Sequence, residues 1–475
     1  MASNTQTKRS SPPSPSGPPK PRPFAKFSLQ EDPKNRAREA LKKEEGEYMT
    51  ESLVLPGEDK TDSKDEQEKQ KWDELVDTLR LHRRRLLRIP GVTAVDVGYK
   101  LIEKENKFLD ELALRVHVER KLHPDCLKRE RPEELIDPKN YLSPDGNEVT
   151  MDVIEAEYRP LQMAVPSRSR LALEVPRSPK EINRRRRLDP LVGGISIGSP
   201  EVPVGTLGAL VWDRTDGSVC ILSNWHVLSG DVHGEAGNPC FQPGRFDQGR
   251  SSDVVARLKR WSFDNQSDAA IAELTGSRRY CAGEIVEIYQ QISGVADPYL
   301  GMEVLKSGRS TGATWGFVDG LYFSAVIQYS NGIVRIFEDQ IHIAPQLTNG
   351  KKPAKRISEP GDSGSVWVAR TNGRGYRAVG LHFAGDLPHS AFGEYALANP
   401  MSIVAERLNF SFRPLFLEIR DEDVIQEATQ IAAQPLHFQN GHRNGIQPSG
   451  FIEGGRLNGS GSQPVSNTLD PGGSG

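Results

Sequence analysis

Three short stretches carry residue types that could do nucleophilic chemistry together. Gly361-Asp362-Ser363-Gly364-Ser365 holds a serine between two glycines. Asn224-Trp225-His226-Val227-Leu228 presents a histidine, and Ser267-Asp268-Ala269-Ala270-Ile271 a carboxylate at the head of an apolar run. A serine hydroxyl is a poor nucleophile at neutral pH and needs a base in hydrogen-bond reach, which in turn needs an orienting acceptor. His226 is the candidate base for Ser363, and Asp268 the candidate acceptor that fixes the imidazole tautomer. The N–H groups of Gly361 and Ser363 are the candidate donors to a developing oxyanion. Gly361 and Gly364 allow the tight turn that such a loop requires. Each piece alone has an ordinary structural reading, as a turn, a strand-end histidine or a strand start. Asp247, Asp253 and Asp264 are rival acids, but no apolar strand continues from them.

The elements that must position these residues follow from the hydrophobic pattern. From Leu191 to about Leu408, short apolar runs alternate with glycine-rich turns, the mark of an all-β barrel or sandwich. Ser402 to Leu408 reads as a closing helix. Upstream, Leu75, Val76, Leu79, Leu81, Leu86 and Leu87 recur at helical spacing until Ile89-Pro90-Gly91 stops them. Val92–Leu101, Leu112–Val118 and Glu148–Glu157 read as strands. The expected organisation is therefore a disordered tail over 1–70, a small α/β module over 71–160, a basic linker over 161–190, the β-rich domain over 191–412, and a mostly disordered tail over 413–475. A weak helix is expected within that tail, over 421–433.

Composition narrows the classes. The chain has 475 residues and a net charge of −3, which gives no global field favouring nucleic acid or an anionic membrane. It contains no apolar run of about 18 residues that would span a bilayer, and its first residues lack the apolar stretch of a secretory signal. Cys126, Cys220, Cys240 and Cys281 are too scattered for a disulfide framework or a Cys-x-x-Cys metal site. Buried, reduced thiols in a cytoplasmic or nuclear compartment are expected, with no metal and no cofactor. Arg184-Arg185-Arg186-Arg187 reads as a solvated linker, an import or anion-binding patch, or a cleavage site. The last reading matters because Leu191-Val192-Gly193-Gly194 follows.

On these residues the chain resembles the chymotrypsin- and trypsin-like serine proteases. The order His, Asp, Ser is that of the family. The resemblance extends to Leu191–Gly198 and Gly205–Leu210 as opening strands, to Lys306-Ser307-Gly308-Arg309-Ser310-Thr311-Gly312 as a mid-domain turn, and to Tyr395–Pro400 as a closing segment. It is most similar to the non-secreted branch of bacteria, fungi and plants, including the narrow-leaf type. Val92–Lys121 resembles the module that precedes the protease there. Ser365 departs from the glycine of secreted trypsins. The resemblance implies a mainly β fold, a double six-stranded antiparallel β-barrel, and intracellular peptide-bond hydrolysis through an acyl-enzyme. In secreted relatives a freed amino terminus pairs with the Asp before the serine; an uncut chain leaves Asp362 in need of another partner.

Gly380-Leu381-His382-Phe383-Ala384-Gly385 resembles the pocket strand of glutamate-specific bacterial proteases and of viral cysteine proteases that accept glutamine. Those enzymes place a hydroxyl residue five positions before the nucleophile, here Ser358. An imidazole and a hydroxyl can donate to a carboxylate or amide oxygen, which implies cleavage after Glu or Gln. The competing reading makes His382 a satisfied strand histidine in an apolar or small pocket. The expected partner is a protein or peptide substrate. Folding assistance, inhibition, homo-oligomerisation, substrate binding or a purely structural part are the roles open to the 71–160 module. A catalytically silent peptide-binding scaffold and a partner-activated effector are the alternatives to an active enzyme.

Overall fold

The structure, a computed structural model, describes residues 63–102, 107–160, 183–230, 234–346, 356–370, 375–386 and 394–414. The linker over 161–182, the helix expected over 421–433 and almost all of the two tails lie outside these residues.

The described chain opens with helix α1 (Ser63–Leu87), which starts ahead of the Trp72 region where the apolar pattern sets in. Leu75, Val76, Leu79, Leu86 and Leu87 are buried against Val95, Val97, Leu114 and Val116. Leu81, expected on that face, is 59% exposed. Strands β1 (Val92–Ile102) and β2 (Lys107–Val118) form an antiparallel pair with Val97 opposite Leu114. The short helix α2 (Pro124–Glu130) follows. Strand β3 (Met151–Glu155) then runs parallel to β2. A further strand, β4 (Tyr158–Pro160), leaves this group for a distant partner described below.

The next strands are β5 (Leu191–Gly193), β6 (Ile195–Ile197), β7 (Gly205–Leu207), β8 (Ala209–Asp213) and β9 (Val219–Ser223). After the one-turn helix α3 (Trp225–Leu228) come β10 (Pro239–Phe241), β11 (Val254–Phe263) and β12 (Asp268–Leu274). Ile195, Ile197, Leu207, Leu210, Ile221, Val227 and Leu258 fill the core of this half.

The second half comprises β13 (Tyr280–Ile285), β14 (Ile292–Val295), β15 (Glu303–Gly308), β16 (Gly312–Gln328), β17 (Val334–Pro345), β18 (Val366–Arg370), β19 (Tyr376–Asp386) and β20 (Ala396–Pro400). Helix α4 (Met401–Leu408) and β21 (Phe410–Ser411) close the described chain, and β21 returns to β8. The first half centres on a six-stranded sheet in the order β10-β11-β12-β9-β8-β21, with β6–β7 and β5–β13 as separate two-stranded pairs. The second is an eleven-stranded sheet, β15-β18-β19-β20-β17-β16-β1-β2-β3, with β14 and β4 added on β19. The architecture is mainly β, as the alternating pattern implies. The α/β module is not set apart from it: β1 pairs with β16, Ala94 opposite Ala325, so one sheet runs through both.

Two expectations change. Arg184, read with its neighbours as solvated linker, is buried, with Nη2 2.7 Å from Glu287 Oε2 and 3.0 Å from Ser307 Oγ. Cys220 and Cys240 are buried thiols, their pKa values pushed up by burial to about 11 and about 12, but Cys126 is exposed and Cys281 half-buried.

Candidate active site

Strand register brings the histidine and the aspartate together. β12 pairs with β9, Ala270 opposite Ser223, so Asp268 at the start of one strand meets the turn that ends the other. There α3 presents His226, held by Trp225, whose ring stacks on Phe263 at 4.0 Å between centroids. His226 Nδ1 lies 2.5 Å from Asp268 Oδ2, and the His226 N–H donates to Asp268 Oδ1 at 3.1 Å. Tyr329 donates its hydroxyl to the same Oδ2 at 2.7 Å. Asn224 Nδ2 donates to the Asp268 carbonyl, and the Asp268 N–H donates to Asn399 Oδ1. A carboxylate only accepts, so the imidazole proton sits on Nδ1 and Nε2 carries the lone pair. Nε2 is buried with no hydrogen-bond partner. Burial first, then the Asp268 charge, raises the Tyr329 pKa well above the usual phenol value and keeps it a donor.

The serine loop is clamped across the seam between the two halves. The Thr206 N–H donates to the Ser363 carbonyl at 2.8 Å, and Thr206 Oγ1 to the Gly361 carbonyl at 2.8 Å. Gly364, at φ +94°, faces the histidine strand: a Cβ there would lie 2.1 Å from Ser223 Oγ. Ser363 Oγ donates to the Phe383 carbonyl at 3.4 Å, and in this rotamer makes no hydrogen bond to His226. Two anchors orient the candidate oxyanion donors. Ser310 Oγ donates to the Pro360 carbonyl at 2.7 Å, and the Ser365 N–H to the Asp362 carbonyl at 3.0 Å. A trans peptide points its N–H opposite to its C=O, so the Gly361 and Ser363 N–H groups turn away from these anchors.

Asp362 has the partner that an uncut chain requires. Lys306 Nζ lies 3.3 Å from Asp362 Oδ2, and both side chains are fully buried. Thr311 Oγ1 donates to Oδ2 at 2.6 Å, while the N–H groups of Ser310 and Thr311 donate to Oδ1 and that of Glu359 to Oδ2. Burial works to raise the Asp362 pKa, but the Lys306 charge and the Thr311 hydrogen bonds outweigh it and hold the carboxyl below its usual range. The rival acids are otherwise engaged. Asp247 makes a two-pronged pair with Arg309, Asp253 binds Arg278 at 3.0 Å, and Asp264 accepts from the N–H groups of Gln266 and Ser267.

His382 lies on the strand that touches the nucleophile. Its N–H donates to the Ser365 carbonyl and its carbonyl accepts from the Gly364 N–H. Both ring nitrogens are buried without a partner, as are Trp367 Nε1 and Ser365 Oγ. Ser365 immediately precedes β18 and accepts the His382 N–H, while the Trp367 ring in β18 lies edge-on to the His382 ring at 6.1 Å between centroids, so the three residues lie together. Burial, then the Lys306 charge, lowers the His382 pKa to about 3, which leaves the imidazole neutral. Ser358 is buried as well but forms no hydrogen bond with His382. Sequence reasoning missed Lys306, Ser310, Thr311 and Tyr329 as supporting residues, and Trp367 beside the pocket. The turn Lys306–Gly312 was noticed only as a likeness, without a role for its side chains.

No family model matches the chain, and no curated protein sequence matches it. Among solved structures it is similar to Thermobifida fusca protease A, at 15% identity over 46% of this chain and 96% of that one, with a TM-score of 0.33. It is similar to a chymotrypsin of Cellulomonas bogoriensis, at 17% identity over 47% and 98%, with a TM-score of 0.33. A third is a glutamic acid-specific serine protease described as using a histidine triad in substrate binding, at 19% identity over 46% and 99%, with a TM-score of 0.32. These are serine proteases, and the likeness is one of fold over less than half of this chain. The chemistry of the site rests on its own geometry.

Proposed function

We propose that the protein is a serine endopeptidase. Ser363 Oγ attacks the scissile carbonyl carbon and its proton passes to His226 Nε2. Asp268 holds the imidazolium through Nδ1. The Gly361 and Ser363 N–H groups bind the oxyanion. Collapse expels the amine, which takes the proton from Nε2 and leaves the acyl group on Ser363. Water, deprotonated by the same nitrogen, then releases the acid. The observation that carries this reading is the orphaned, buried His226 Nε2, whose tautomer Asp268 fixes. The reading requires Ser363 Oγ to leave the Phe383 carbonyl for His226 Nε2, and catalytic hydrogen bonds are often loose in unliganded sites. The test is covalent labelling by a fluorophosphonate, read by intact mass. One adduct on the wild type and none on Ser363→Ala is expected. A silent scaffold would take up no adduct in either.

The pocket reading is cleavage after Glu or Gln. Buried polar groups without partners call for an explanation, and the unpartnered atoms of His382, Ser365 and Trp367 would be satisfied by a side-chain carbonyl or carboxylate oxygen. Ser358 is the further hydroxyl proposed for this pocket. Fluorogenic peptides that differ only at the residue before the cut decide. Glu or Gln peptides should lead Phe, Ala and Leu peptides by at least tenfold, and His382→Leu should erase that lead. Turnover of the Phe, Ala or Leu peptides equal to or faster than that of the Glu and Gln peptides ends the idea. The proposed partner is a protein or peptide substrate, and the proposed compartment, cytoplasm or nucleus, is checked by fractionation.

A further inference from the structure

One edge of β19 is shared by three segments in succession. From Tyr376 to Leu381 it pairs with β18. At His382 it exchanges backbone hydrogen bonds with Ser365 and Gly364, and at Phe383 its carbonyl meets Ser363 Oγ. Beyond the nucleophile the strand continues, and its partner there is β4: Ala384 opposite Pro160, Gly385 opposite Arg159, Asp386 opposite Tyr158. The pairing is antiparallel, so β4 runs toward Ser363 and its last described residue, Pro160, is the nearest to it in register. An extended peptide whose carbonyl is to reach Ser363 must lie along an exposed strand beside it, adding itself to the sheet. That place is taken.

The occupant is firmly held. Tyr158 is buried, and its hydroxyl lies 2.8 Å from His117 Nδ1 and 2.9 Å from His342 Nε2. His117 Nε2 lies 3.1 Å from Asp96, and His342 Nδ1 lies 2.8 Å from Asp319. Arg115 bridges both carboxylates. The carboxylates take a ring N–H from each histidine, so the nitrogens facing Tyr158 are left as acceptors. A phenol has one proton to give. Burial outweighs the pull of Asp96 and lowers the His117 pKa, which favours the neutral ring with Nδ1 as an acceptor. Such a buried network holds its parts strongly. Arg159, by contrast, is exposed, and among the described residues its guanidinium pairs with Glu157 at 3.2 Å, a contact of little worth at the surface. Ser363 is 1% and His226 0% exposed.

We propose that β4 is a tethered peptide ligand of the site, seated on the β19 edge that a substrate strand needs, so that substrate binds only by displacing Tyr158–Pro160. This rests on the endopeptidase reading. It also names the class of partner: an extended segment with the backbone of Tyr-Arg-Pro, laid antiparallel on Ala384–Asp386. A tethered competitor acts as an effective concentration of ligand. It multiplies the apparent KM for extended substrates and leaves kcat unchanged.

The test uses the full chain with two probes. A fluorophosphonate needs only Ser363 and His226, whereas an extended fluorogenic hexapeptide needs the β19 edge. Arg159→Pro removes a backbone donor from β4 at an exposed position and leaves the buried network whole. Its KM for the hexapeptide should fall at least tenfold at constant kcat, with fluorophosphonate labelling changed less than twofold. Tyr158→Phe, which frees the strand from both histidines, should move KM the same way and covers the case in which Arg159→Pro does not fold. Equal KM in wild type and folded variants, with labelling intact, overturns the tethered-ligand proposal and leaves the enzyme standing. No labelling in any of them overturns the enzyme itself.

Discussion

Replacing Lys306 by methionine tests whether an internal ammonium holds the serine loop in place. Lys306 and Asp362 are both fully buried, so solvent screening does not weaken their attraction. Methionine keeps the length and most of the volume but leaves the carboxylate with hydrogen bonds alone. Breaking a buried pair by removing one partner costs about 3–5 kcal/mol, which for a domain of this size lowers Tm by roughly 6–20 °C. The pH dependence gives the sharper signature. In the wild type the folded Asp362 pKa lies below its usual value, so its contribution is present above that value and lost as pH falls through the folded pKa. Lys306→Met raises the folded pKa, because burial loses its main opponent. The stability gap between the two proteins should therefore be full near neutral pH and close on acidification, once the variant's carboxyl is protonated. The same loss frees the peptide that carries the Ser363 N–H, and an oxyanion donor out of place costs about 10²–10³ in kcat. Thermal melts from pH 4 to 8 and peptide hydrolysis measure both effects. Adding Asp362→Asn should recover part of the lost stability. An unchanged Tm, or a gap that stays constant from pH 8 to pH 4, refutes the assignment of Lys306 as the counter-charge.

Two other substitutions probe the seam and the base. Gly364→Ala forces a side chain into φ +94° and to within 2.1 Å of Ser223 Oγ, so the halves must part there; a loss of about 1–3 kcal/mol from the backbone alone should appear in denaturant melts, together with slower fluorophosphonate labelling. Tyr329→Phe deletes a donor to the Asp268 carboxylate, a bond to a charged group worth about 1.5–3 kcal/mol. It should lower kcat/KM about tenfold or more with the fold intact, and an unchanged pH–rate profile would show that Tyr329 does not tune the base.

What could be read from the sequence depended on whether the signal was local. Asp268 at the head of Ala269–Leu274 and His226 at the end of Cys220–Ser223 are marked by the strands they border, and β9 and β12 do pair. The mainly β pattern was legible for the same reason, since each short strand carries its own apolar alternation. Lys306 was not, because nothing in Lys306–Gly312 says which side chain turns toward Asp362; that depends on the β15–β16 hairpin lying against the serine loop. β4 was still less visible. Tyr158-Arg159-Pro160 has no alternation to speak of, contains a proline, and is a strand only because the free edge of β19 makes it one. Arg184 looked like a linker residue because its carboxylate partner, Glu287, lies a hundred positions downstream.

The two devices bear on each other. In the continuous chain the Leu191 N–H donates to the Arg279 carbonyl at 2.8 Å. With Lys306 supplying the positive charge from within β15, the loop that carries Gly361 and Ser363 has its counter-charge in the uncut chain and gains nothing from a new amino group. On the endopeptidase reading, oxyanion donors anchored this way need no new amino terminus, which leaves restraint to access. The β19 edge is the natural place, because a strand seated there blocks extended peptides and leaves the triad geometry untouched. On the tethered-ligand proposal Tyr158, held between His117 and His342, then sets how tightly that edge is shut, and the module of α1 and β1–β3 that carries β4 is continuous with β16.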